Sequence, residues 1–144
     1  MQNFTGDHPH AQSIRPSGVV LTATGKGRVG FVDADGIAAV AVRALTDAQA
    51  PDTDLVITGP EALGYGDVAA TLTRVTGHSA TRAEIRDRLA VGLPREHAAM
   101  LADMDHAISQ GAEDRTTDTV QRITGRPAGT FRAFAERELG RKGD

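Results

Sequence analysis

The apolar positions along the chain fall mostly at helical spacing. From Asp33 to Ala48, Ile37, Val40, Ala41, Ala44 and Leu45 recur every three to four residues, which predicts an amphipathic helix facing a core. Asp35 is placed to cap its first-turn amides and to favour the positive helix end. Val68, Leu72 and Val75 predict a second helix from about Asp67 to Thr76, with Gly77 in the stop position. Leu93-Pro94 opens a third, to about Ser109, with Pro94 at the first helical position, a stripe of Ala98, Leu101, Met104 and Ile108, and Gly111 after it. A shorter helix is expected near Asp118 to Ile123, stopped by Gly125 and Pro127. A last one runs from the cap Thr130 through Phe131, Phe134, Ala135 and Leu139 to Gly140.

Strand signals are fewer. Val19 to Thr24 and Arg28 to Val32 flank Gly25-Lys26-Gly27, which reads as a β-hairpin. Asp54 to Pro60 is a short apolar run closed by Gly59-Pro60, the pattern of a buried strand ending in a turn. Residues 78 to 91 suggest a strand passing into a helix, with a weak apolar pattern broken by Arg82, Glu84, Arg86, Asp87 and Arg88. Residues 1 to 17 show no periodicity and read as irregular.

With 144 residues the chain has the length of one domain, here residues 1–144. One Tyr, four Phe and no Trp leave the core to Ala, Val, Leu and Ile. The formal charge is −3 and the basic residues are scattered, which argues against nucleic acid as a partner. No cysteine is present, which excludes disulfides, thiolate metal sites and a Cys nucleophile. The start at Met1 lacks a basic and apolar leader pattern and no run approaches the ~20 apolar residues of a membrane span, so a cytoplasmic protein with no membrane partner is expected.

Candidate chemistry is thin. Gly25-Lys26-Gly27 leads into a strand rather than a helix, so a hairpin turn is preferred to a phosphate loop. Gly59 to Gly66 stands between a strand and a helix, but its glycine spacing does not fit a dinucleotide fingerprint and Pro60 removes an amide donor. His8 and His10 lack a third ligand at metal spacing, while His78, His97 and His106 sit in separate elements, so no metal site is assigned. Asp103 and Asp105 beside His106 read as a solvated helix face, and no Ser/His/Asp set marks a nucleophile, so no catalytic residue is assigned. From the residues alone, the chain is an α/β domain with helices covering a small amount of sheet.

The order of four segments carries a resemblance. Met1-Gln2-Asn3-Phe4, Gly30 to Ala38, Ile57 to Leu63, and Gly125-Arg126-Pro127 with Thr130-Phe131 together resemble the NmrA-like atypical short-chain dehydrogenases/reductases, particularly the ergot-alkaloid-biosynthesis-type NAD(P)-binding group. The resemblance covers essentially all of the chain. It implies the C-terminal part of a Rossmann-type α/β fold, with few strands, about five covering helices and the N-terminal dinucleotide-binding strands absent. On that resemblance Asn3 and Phe4 face the cofactor–substrate cleft, and His8 and His10 begin the segment after it. Where the family carries a second acidic residue before Ile-Ala, this chain has Gly36. NAD(P) is the cofactor the family implies, but the glycine-rich motif that holds it is not in this chain, so its standing as an enzyme is left open. The expectation is a substrate-side portion of an NAD(P)-dependent oxidoreductase, inactive alone, with a small-molecule substrate and either a separate Rossmann half or a homo-oligomer as partner. Two other readings stay open: a non-catalytic NmrA-like binding or regulatory module, and a degraded reading frame.

Overall fold

A computed structural model describes residues 1–49, 51–84 and 94–140. A 3-10 turn at Gln2–Phe4 leads to α1 (Pro9–Ser17), β1 (Val19–Thr22), β2 (Arg28–Val29) and α2 (Ala34–Thr46). Then follow β3 (Leu63–Gly64), α3 (Tyr65–Thr76), β4 (Thr81–Glu84), α4 (Arg95–Ser109), α5 (Thr119–Thr124) and α6 (Phe131–Leu139).

The hairpin expectation is corrected. A turn does form, with the Gly27 amide bonded to the Thr24 carbonyl, but the two flanking strands part company. β1 pairs in parallel with β4, Val19 opposite Thr81, whereas β2 pairs antiparallel with β3, Val29 opposite Leu63. Both partners lie far along the chain, and a local strand–turn–strand pattern does not register such pairing. The run from Asp54 to Pro60 is extended but belongs to no ladder among the described residues, and Val56 is 39% exposed. Residues 1 to 17 are corrected as well, since α1 forms there. Pro9 stands at its first position, the His8 ring caps the His10 amide, and Gly18 ends it at φ +64. Pro16 in the last turn removes only one helical bond.

The other helices lie where their apolar spacing puts them, with changes at their ends and faces. Asp33, not Asp35, caps α2, its Oδ1 accepting from the Gly36 amide at 2.8 Å. Pro94 is the residue before the first turn of α4 rather than within it. That helix turns Asp105 and Ile108 inward and leaves Met104 51% exposed, so Asp105 is buried rather than solvated. Gly77, Gly125 and Thr130 take the capping positions expected of them. The expected continuation of β4 over residues 85–91 lies outside the described residues.

The core is also corrected in composition. It gathers Met1, Phe4, Val20, Tyr65, Val68, Ala69, Leu72, Phe131, Phe134 and Ala135, with Phe31 packed against it. All five aromatic residues therefore meet in one place, rather than leaving the interior to aliphatic side chains.

Candidate functional site

The four segments that carry the family resemblance lie together. The Met1 amino group donates to the Val32 carbonyl at 2.6 Å, and the Gln2 Oε1 accepts from the Ala34 amide at 3.0 Å, which binds the first segment to the start of α2. The Gly59 amide donates to the Gly30 carbonyl at 3.2 Å, joining the second and third. A Cβ at Gly59 would collide with the Phe31 carbonyl, so the approach depends on glycine. Glu61 Oε1 accepts from the Phe131 amide at 3.3 Å, joining the third to the fourth.

Phe4 is at the centre of this junction. Its ring is 5.2 Å from Phe131, 5.7 Å from Phe31, 6.3 Å from Tyr65 and stacked on His10 at 5.4 Å. At 2% exposure that ring is core, while neighbouring Asn3 is exposed on the 3-10 turn. His8 and His10 come within 5.2 Å of each other, but His78, His97 and His106 lie exposed on other elements. No cluster of three metal-ligating side chains occurs among the described residues.

Charge near the junction comes from Asp33 and Asp35. Burial lowers the Met1 ammonium below its ordinary value of 8.0, and Asp33 partly offsets this. Asp33 is 6% exposed, and its Oδ2 would lie 2.8 Å from a Cβ at Gly129, so the fourth segment closes over it. Asp35 instead points outward, 3.7 Å from Arg137. The glycine at position 36 leaves the cap intact, because Asp33 supplies it. Between α2 and α5 an open cleft of about 490 Å³ is lined by Ala38, Val42, Val120, Arg126 and Pro127 together with Asp35.

A dinucleotide's pyrophosphate is held by free amides at a helix N-terminus, and at the starts of α2, α3 and α6 a side chain of this chain already takes one amide. The Gly64 amide at α3 donates to Asp67 Oδ2 at 3.0 Å, the Gly36 amide at α2 to Asp33, and the Ala133 amide at α6 to Thr130 Oγ1 at 3.1 Å. Carboxylates in the first turns of α2 and α3 would also repel phosphate. The starts of α2, α3 and α6 therefore offer an anion fewer free donors, whereas α4 and α5 carry no side-chain cap. Sequence reasoning identified the four segments but missed two anchors between them, Gln2 and Glu61, whose partners lie 32 and 70 residues away, and it missed the local cap Asp33.

The α/β unit, with its short parallel ladder and six described helices, matches the fold of NAD(P)-binding reductases. The uncharacterized oxidoreductase YesF of Bacillus subtilis is 43% identical over 94% of this chain and 49% of its own length. Festuclavine synthase I of Penicillium roqueforti is 37% identical over 96% of this chain and 50% of its own. The NADPH-dependent quinone oxidoreductase of Escherichia coli, solved with NADPH, superposes with a TM-score of 0.76 at 26% identity, covering 90% of this chain and 49% of the other. No protein-family model matches. The chain is thus similar to oxidoreductases, and it spans about half the length of the curated relatives it matches.

Proposed function

We propose that residues 1–144 are one unit, the substrate-side portion of an NAD(P)-dependent oxidoreductase, inactive until joined by a half that holds the cofactor. The observation that carries this reading is the match to half of each relative by a chain in which the starts of α2, α3 and α6 already give an amide to its own side chains. Bound NAD(P)H would supply a hydride to a small-molecule substrate. In this reading the chain contributes the wall against which the substrate rests and no group that holds the pyrophosphate.

Asn3 and Phe4 border the cofactor side of that wall. Asn3 has an exposed amide that can donate and accept, and Phe4, with its ring in the core, fixes the turn that presents it. Phe4 thus acts as a positioning residue. A non-catalytic interaction module is the alternative, favoured by the apolar outer face of α2.

The test uses the fluorescence of NADPH and NADH, which changes when the dihydronicotinamide leaves water. The 144-residue chain alone gives no change at micromolar protein. Mixed with the half of the Bacillus subtilis relative that it does not match, it gives saturable binding, weakened roughly tenfold by Asn3→Ala, as expected for one lost hydrogen bond worth about 1.4 kcal/mol. Saturable binding by the chain alone would overturn the reading.

A further inference from the structure

The groove between α3 and α6 holds two adjoining clefts, of about 300 and 340 Å³, whose linings share Thr71, Arg74 and Arg132. Thr71 and Arg74 stand three residues apart on α3 and so project from one face of it. Arg132 reaches in from α6. Glu136 closes the first cleft, while Arg28, Glu61 and Asp67 border the second.

The acids around these clefts are engaged, and the donors are not. Glu61 accepts from the Phe131 amide at 3.3 Å, Asp67 from the Gly64 amide at 3.0 Å, and Glu136 from Arg132 Nε at 2.7 Å. Arg132 spends only that nitrogen, which leaves its two terminal nitrogens uncommitted. Arg74 makes no ion pair or hydrogen bond among the described residues. A helical threonine ordinarily turns its hydroxyl back to a carbonyl one turn earlier, as Thr73 and Thr76 do to Ala69 and Leu72 at 3.0 and 2.9 Å. The Thr71 hydroxyl makes no such bond, although the residue is only 9% exposed. No fully buried side-chain oxygen lacks a partner among the described residues, so this hydroxyl opens onto the clefts that Thr71 lines. An unpaired polar group this deep is a cost that a ligand's acceptor would remove.

The uncommitted groups define an acceptor. Two guanidinium forks beside a hydroxyl are all donors, and a fork matches the two oxygens of a carboxylate. The charge of the linings sets how negative that acceptor is. Two arginines face Glu136 in the first cleft, and three face Glu61 and Asp67 in the second, which leaves one positive charge in excess in each. A single carboxylate balances that excess, whereas a phosphate dianion would overfill it beside acids already in place. Val75 in the first cleft, and Leu63 and Ala70 in the second, supply apolar wall for a short hydrocarbon body.

We propose that the α3–α6 groove binds a small organic acid through one carboxylate, held by Arg74, Arg132 and the Thr71 hydroxyl. The site is built entirely from this chain and does not depend on the reading of the chain as a substrate-side portion. Bound there, the acid would tie α3 to α6 through charge-assisted bonds at a surface the aromatic core does not reach.

The test titrates the full chain, isotope-labelled for NMR, with sodium butyrate at constant ionic strength, so that screening of surface charge does not change. Butyramide, of the same shape and uncharged, and inorganic phosphate are titrated in parallel. The expected result is saturable shifts at the Thr71 amide and the Arg74 Nε with millimolar butyrate, none with butyramide, and weaker binding of phosphate. Arg74→Gln changes an exposed position, so it should leave the melting midpoint in place while weakening butyrate roughly tenfold, as for one lost charge-assisted hydrogen bond. Thr71→Val keeps the side chain's shape and removes the hydroxyl. It should weaken butyrate without lowering the midpoint, because the hydroxyl has no bond within the chain to lose. Arg122→Gln on α5 makes the same charge change away from the groove and should leave binding unaltered. Absence of saturation at tens of millimolar overturns the proposal. So do equal losses in Arg74→Gln and Arg122→Gln, which mark a general effect of charge, and phosphate binding more tightly than butyrate, which assigns the groove to a dianion.

Discussion

Phe131 has none of its surface exposed and lies 5.2 Å from Phe4 and 6.0 Å from Phe134, so one ring links the N-terminal turn to the last helix. Removing a fully buried Phe side chain costs about 3–5 kcal/mol in lost burial and residual cavity. Phe131→Ala is therefore expected to lower the melting midpoint by roughly 10 °C, measured by circular dichroism. The Met1 ammonium gives a second expectation at this scale. Its folded value lies below 8.0 because burial disfavours the charge, so between the folded value and 8.0 the unfolded chain binds more protons. Stability should rise with pH across that window and level off above it. Melts from pH 6 to 9 of the free and the N-acetylated chain test this. Acetylation retains an N–H for the Val32 carbonyl but removes the charge, so it should abolish the slope.

At the scale of elements, the junction of α1 with β1 depends on a glycine. Gly18 combines φ +64 with a position where a Cβ would strike the Ser79 carbonyl, and its own carbonyl accepts from the Thr81 amide at 2.8 Å, next to the β1–β4 ladder. Gly18→Ala should cost more than the ~1 kcal/mol of left-handed strain alone, seen as a lower denaturant midpoint with unchanged slope. Most of the helices were legible in the sequence because their signals are local: apolar spacing, with Gly77, Gly125 and Thr130 at the ends. α1 was not, because two prolines and a polar face hide a helix held by the His8 cap and by burial of His10 and Ala11. The strand pairings were not legible either, since a β-branched run specifies extension but not a partner 60 residues away. Of the candidate site, the four segments were readable as motifs. Their convergence through Gln2 and Glu61 was not, since it is set by contacts that no local pattern encodes.

At the scale of the molecule, the chain has a dense aromatic centre and an unfinished exterior. The core joins Phe4 to α3 and α6, while the outer side of α2 leaves Ile37, Val42 and Leu45 exposed. No described helix is long and apolar enough to cross a membrane. The central claim is that this is a folded half without a cofactor cradle. It is tested most directly by a thermal melt of the purified chain with and without millimolar NADPH and NADH. A ligand that binds only the folded state at a hundred times its Kd adds about 2.7 kcal/mol, which raises the midpoint by several degrees in a chain of this size. The account predicts a single cooperative transition that neither dinucleotide moves. A midpoint raised by several degrees would show that the chain binds the cofactor through a surface of its own, and would contradict it.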